Sequence, residues 1–354
     1  DLDRSRLTSG GLAAMIEHDH VVGVTTNPSI FSKAISTGAE AYAIQVSSLA
    51  AGQADADFAV REMTTQDVRD ACDVMSDVAA RTQGVDGRVS IEVDPRLARE
   101  TAPTIEQARA LWAEVDRPNL LIKIPGTVEG LPAITQALSE GISVNVTLIF
   151  SVERYRAVID AWASGLERRI DAGKPIGDVH SVASFFVSRV DTAIDAQLDK
   201  IGGEQAAALR GKAGVANARL AWQAYQEFLA TPRWQALKAA GALPQRPLWA
   251  STGVKDPAFP DDMYVVELAG PGCVNTMPEP TLRAVADHGN LHGDTLDGTG
   301  GASQQVFDQL TGLGVDLDEV FDTLEAEGVE KFKDAWEDLL ATVADALAVD
   351  RGAQ

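Results

Sequence analysis

The chain has 354 residues, 45% of them hydrophobic, and a formal net charge of −22. A chain of this length suits one large domain or two ordinary ones, and no charge-poor run is long enough to span a bilayer, which points to a soluble globular protein. Such an acidic surface disfavours nucleic acid and anionic membranes as partners, and obliges any site for a phosphorylated ligand to concentrate positive charge locally.

Residues 1–20 carry acids, bases and a helical pattern around Leu7–Ile16, not the profile of a signal peptide. Short apolar runs follow at Val21–Thr25, Arg88–Val93, Asn119–Ile124, Ile142–Ile149, Ser181–Val187, Pro247–Ser251 and Tyr264–Leu268. Each is nearly continuous in apolar or β-branched residues, as parallel strands covered on both faces should be. Helical patterns lie between them. Residues 33–85 read as an inserted helical pair, Leu131, Ile134 and Leu138 as a short helix, and Val152, Tyr155, Ile159, Trp162, Leu166 and Ile170 as one apolar stripe. Gly298–Gly301 mark a loop, and Val329, Phe332, Trp336, Leu339, Val343 and Leu347 predict a long closing helix. The alternation predicts an α/β fold with a parallel sheet. Seven runs are one short of a (β/α)8 barrel, so the eighth strand is expected upstream of Asp1; the alternative is an open doubly wound sheet, although no glycine-rich dinucleotide fingerprint follows the first run.

Cys72 and Cys273 are the only cysteines, which argues against a disulfide framework or a zinc site and fits a reducing cytoplasm. The pairs His18/His20 and His288/His292 lack a carboxylate–histidine context, so surface or capping roles are expected and no metal is. In a barrel the chemistry sits at the C-terminal strand ends. Those ends offer Asn27, Glu92, Lys123, Asn145 with Thr147, Ser184 with Arg189, and Ser251 with Lys255. Lys123 stands inside Leu-Leu-Ile-Lys-Ile-Pro, where a charged amine is costly to bury and a neutral one is a nucleophile toward carbonyls; the plainer reading is a lysine that snorkels or pairs with Glu92. Asn145 and Thr147 stand two apart and share one strand face, either toward a ligand or satisfying each other in a barrel core.

With these residues in view, the chain resembles the transaldolase family. Val24-Thr25-Thr26-Asn27-Pro28-Ser29-Ile30-Phe31 looks like its first signature, and Leu121-Ile122-Lys123-Ile124-Pro125 like the one that contains the Schiff-base lysine. Val144-Asn145-Val146-Thr147-Leu148-Ile149-Phe150-Ser151, Ala183-Ser184-Phe185-Phe186-Val187-Ser188-Arg189 and Trp249-Ala250-Ser251 are similar to the later strands, in the same order. The longer bacterial type, as in actinobacteria, is the nearest in kind.

The resemblance implies a single domain over 1–354: a circularly permuted, class I aldolase-like (β/α)8 TIM barrel with extra helices, including the insertion at about 33–85 and C-terminal helices at about 279–348. It implies transfer of a dihydroxyacetone unit from fructose 6-phosphate or sedoheptulose 7-phosphate to an aldose phosphate, in the non-oxidative pentose phosphate pathway. Lys123 would form the Schiff base. Glu92 and Thr147 would hold and activate a water. Asn27 and Asn145 would bind hydroxyls. Ser184, Arg189 and Ser251 would reach the distal hydroxyl or phosphate, and Phe186 would line the pocket. Neither a metal nor an organic cofactor is expected. The partners are small sugar phosphates, and a homodimer stays open.

Two positions depart from the pattern. Gly253 stands where shorter relatives carry an arginine, with Lys255 as the nearest positive substitute. The family's acid/base aspartate falls either at Asp1 or upstream of it. The rival readings are an aldolase that releases free dihydroxyacetone and a non-catalytic sugar-phosphate sensor.

Overall fold

The computed structural model describes residues 2–353. Seven strands lie among them: β1 (Gly23–Thr25), β2 (Arg88–Glu92), β3 (Leu120–Pro125), β4 (Val144–Ile149), β5 (Ser181–Phe186), β6 (Arg246–Ala250) and β7 (Val274–Asn275). The chain divides into two compact units. One comprises the described residues up to Ile124, Ile142–Val144 and those from Val329 on; the other comprises Pro125–Gly141 and Asn145–Gly328.

In the first unit β1, β2 and β3 pair in parallel, with Thr25 opposite Ser90 and Glu92 opposite Lys123. Every residue of β2 and β3 is buried; β3 is apolar apart from Lys123, whereas β2 alternates Arg88, Ser90 and Glu92 with Val89 and Ile91. Between β1 and β2 lie four helices, Pro28–Thr37, Ala39–Ala51, Ala56–Val74 and Ser76–Arg81, where the sequence suggested a pair. The breaks are short and local: Gly38 ends one helix and precedes the next, and Asp55 caps the third by accepting a hydrogen bond from the Phe58 N–H at 2.8 Å. The expected first helix is likewise split, into Arg4–Thr8 and Gly11–His18, with Gly10 left-handed between them.

A buried polar triad ties this segment together. Arg4 Nε donates to Asp67 Oδ1 at 2.6 Å, Tyr42 Oη donates to Asp67 Oδ2 at 2.6 Å, and the Arg4 guanidinium lies 4.2 Å from the Tyr42 ring centroid. Burial raises the Asp67 pKa and Arg4 opposes it.

In the second unit β5, β6 and β7 pair in parallel, with Phe185 opposite Trp249 and Trp249 opposite Asn275. The stripe on helix Val152–Asp171 buries Tyr155, Ile159, Trp162 and Leu166, while Ile170 emerges into solvent at the last turn. Gly126 follows β3 and donates its N–H to Thr147 O at 2.7 Å; a Cβ there would meet Ile149, Thr147 and Val146 at 3.3 Å, so a side chain would need these neighbours to give way slightly. The end of the glycine-rich stretch expected as a loop begins a helix, Gly300–Gly312.

One expected strand is overturned. Tyr264–Leu268 is not extended: Met263–Val266 form a helical turn, with the Val266 N–H bonded to Asp262 O and the Glu267 N–H to Met263 O. The Tyr264 hydroxyl donates to buried Asp191 at 2.7 Å, an anchor that outweighs the β propensity of Tyr-Val-Val. The seventh strand is Val274–Asn275 instead, fixed by pairing with Leu248 and Trp249 and by Thr252 Oγ1, which donates to Asn275 Oδ1 at 3.0 Å.

Replacing Arg4 with methionine should cost about 3 kcal/mol in denaturant unfolding, because Asp67 would then be buried with only Tyr42 as partner. A change below about 1 kcal/mol would mean that the ion pair is dispensable.

Candidate active site

The first cluster follows from strand register. Parallel pairing sets Glu92 beside Lys123, and both are 6% exposed. Lys123 Nζ lies 3.5 Å from Glu92 Oε2. That is an ion-pair distance too long for a good hydrogen bond, and neither Glu92 oxygen has a hydrogen-bond partner among the described residues. Burial pushes the Glu92 carboxyl up to about 7, and Lys123 pulls against that rise. The plainer reading, a lysine paired with Glu92, is therefore part of the geometry.

Thr26 completes the cluster, and sequence reasoning had not singled it out. Its carbonyl accepts from Lys123 Nζ at 3.1 Å, and its hydroxyl donates to Ser90 O at 2.7 Å. Asn27, next in the chain, caps helix Pro28–Thr37: its Oδ1 accepts the Ile30 N–H at 2.8 Å, leaving the amide as a donor. Asn27 and Glu92 line one cavity of about 330 Å³, with Trp336 also on its wall.

The second unit carries the remaining candidates. Asn145, Thr147 and Ser184 are buried, and Ser184 Oγ donates to Asn145 Oδ1 at 2.7 Å. Part of the Asn145 capacity is thus used inside the sheet. Thr147 Oγ1 is buried with no hydrogen-bond partner among the described residues, a state that costs about 1–3 kcal/mol unless a ligand relieves it. The next residue, Leu148, has φ +59, a left-handed conformation rare for a bulky side chain.

Phe186 packs 5.0 Å from the Phe150 ring and 5.3 Å from the Arg189 guanidinium. Arg189 Nη1 is buried without a hydrogen-bond partner; burial lowers its pKa and Glu327 opposes this. Ser251, at φ +54, shares a 2.8 Å hydrogen bond with the hydroxyl of Ser188, which starts the helix carrying Arg189. Lys255 is exposed on the loop after β6. A Cβ on Gly253 would meet Pro278 Cγ at 3.1 Å, so a side chain there would be crowded. Asp1 lies outside the described residues.

A buried lysine beside a buried carboxylate, on neighbouring parallel strands, is an arrangement that α/β enzymes of carbonyl chemistry can use. The family model described as Transaldolase/Fructose-6-phosphate aldolase matches residues 1–343. The transaldolase of Mycolicibacterium paratuberculosis is 63% identical over 341 residues, 96% of this chain and 91% of that protein. The transaldolase of Thermobifida fusca is 59% identical over 348 residues, 98% of this chain and 94% of that protein. The chain belongs to the transaldolase/fructose-6-phosphate aldolase family, and its fold is of the α/β TIM-barrel type. No described helix is long and apolar enough to cross a membrane.

The carboxyl carbon of Glu92 should titrate near pH 7 by NMR, and Lys123→Met should move it higher, since Lys123 is the group holding it down. The raised pKa also has a stability signature. The native state binds this proton more tightly than the unfolded chain, so the stabilisation is full below the ordinary value of 4.5 and is lost as pH rises to about 7. Glu92→Gln should remove that part of the pH dependence; an unchanged profile would contradict the assignment.

Proposed function

We propose that the chain is a transaldolase that forms a Schiff base on Lys123 and transfers a three-carbon dihydroxyacetone unit between sugar phosphates. The observation that carries the mechanism is the buried Lys123–Glu92 pair. The amine attacks the C2 carbonyl of fructose 6-phosphate or sedoheptulose 7-phosphate, and loss of water gives an iminium. A base takes the C4 hydroxyl proton, the C3–C4 bond breaks, and its electron pair flows into the iminium to leave a neutral enamine. The aldose phosphate departs, and a second aldehyde adds at the same carbon. Hydrolysis then frees Lys123. Under this reading the C4 base is an aspartate at Asp1 or before it.

Glu92, near 7, is poised to carry protons for the steps that gain and lose water. The unpartnered Thr147 hydroxyl is the second hand on that water. Asn27 and Asn145 bind hydroxyls of the three-carbon unit, with Ser184 and Ser251 further along the substrate and Phe186 against its carbon chain. Arg189 supplies the positive charge that an anionic substrate needs on a chain of charge −22, with Lys255 as a second, more exposed cation. Cys72 and Cys273 are free thiols, which suits a reducing cytoplasm.

Borohydride added with fructose 6-phosphate should leave a reduced three-carbon adduct on a peptide containing Lys123, and Lys123→Ala should abolish both adduct and turnover. An adduct on Lys255 or Lys212 instead would overturn the assignment. Arg189→Ala should raise KM for fructose 6-phosphate by about tenfold or more while leaving unphosphorylated fructose nearly unaffected, as expected for one charge-assisted contact. Equal losses for both ketoses would put the phosphate elsewhere.

A further inference from the structure

Phe332 stands beside Lys123. It lies on helix Leu317–Ala353, is 5% exposed, and places its ring centroid 5.6 Å from Lys123 Nζ. The same nitrogen has Thr26 O at 3.1 Å and Glu92 Oε2 at 3.5 Å. We infer that the π face of Phe332 stabilises the cationic iminium at Lys123, and so belongs to the reacting centre of this enzyme. The inference rests on the Schiff-base reading above.

The chemistry makes such a group useful. When the amine adds to the ketone and water leaves, the nitrogen becomes a buried cation. When the C3–C4 bond breaks, the electron pair moves onto it and the cation disappears. Glu92 can balance the charge only while ionised, and a carboxyl that titrates near neutrality spends part of the cycle protonated. An aromatic face has fixed negative potential, does not titrate, and cannot attack the ketone. A leucine could fill the same volume but would lack that potential.

Phe332 also belongs to the apolar stripe of its helix, along which Val329, Leu339, Val343 and Leu347 are buried as well, so packing alone is the competing account.

Successive ring fluorination separates the two, because it drains the π face with little change of shape. Mono-, di- and trifluorophenylalanine at position 332, together with Phe332→Leu, would be compared in the full chain. The readouts are turnover, the fraction of Lys123 trapped by borohydride with fructose 6-phosphate, and the thermal midpoint. The inference expects turnover and trapped fraction to fall in step with fluorine number, by about three- to tenfold at trifluoro, with Phe332→Leu at the same end and the midpoint flat along the fluorine series. Trapping and turnover that stay at the wild-type level overturn it, as does a loss that follows the thermal midpoint instead of fluorine number. Absence of any Lys123 adduct in the wild-type chain overturns the Schiff-base reading itself, and this inference with it.

Discussion

Burying a lysine and a glutamate side by side in a parallel sheet is the constraint on which the rest of the site depends. Desolvation penalises both charges, and a 3.5 Å separation returns only part of that cost. Backbone eases the cost for Lys123 alone, since neither Glu92 oxygen has a hydrogen-bond partner among the described residues. β1 ends at Thr25, so the carbonyl of Thr26 has left the ladder and can face Lys123 Nζ. Asn27 then turns the chain into a helix by capping it, which fixes where that carbonyl points. The Thr26 hydroxyl pins the same turn to Ser90. Three consecutive steps of the chain thus hold one acceptor against one amine.

The second unit treats polarity differently. Most of its inward polar groups are spent on each other: Ser184 on Asn145, Ser188 on Ser251, Tyr264 and the Gly214 N–H on Asp191. Thr147 Oγ1 and Arg189 Nη1 are among its buried groups with no hydrogen-bond partner, as are Tyr155 Oη, Asn217 Oδ1 and Arg219 Nε. Arginines elsewhere are heavily used, in pairs such as Arg117–Asp73, Arg156–Glu227 and Arg233–Glu167. Under the proposed function, the unpartnered Nη1 of Arg189 is where an anionic substrate would gain a contact.

The strands β3 to β6 were legible in the sequence because burial on both faces leaves mostly apolar runs, and β2 because Val89, Ile91 and, just after it, Val93 are β-branched. Tyr264–Leu268 shared that signature and was misread, since nothing in the run reveals that the Tyr264 hydroxyl reaches Asp191, far away in sequence. The two residues of β7 sit among Gly270, Gly272 and Pro278 and offer no period to read. At the site, Lys123 and Glu92 were visible as residue types out of place, but their adjacency is a fact of register between strands about thirty residues apart. Thr26 acts through its carbonyl, which residue identity does not announce. Phe332 was read as part of a hydrophobic stripe, and that reading is correct but incomplete, because the same ring also meets the amine.

Gly328 sits inside helix Leu317–Ala353, where glycine is a poor helix former. Its bare backbone is met by Leu148 and Phe150: a Cβ would stand 3.1 Å from Leu148 Cδ2 and 3.3 Å from Phe150 Cε2. Leu148 is the residue already held left-handed beside Thr147, and Phe150 is the ring that backs Phe186. For anyone seeking a more heat-resistant variant, the routine exchange of a helical glycine for alanine requires Leu148 and Phe150 to give way at this position. The methyl would press on a strained strand that has little slack to yield, and helix propensity would be gained against the alignment of Thr147.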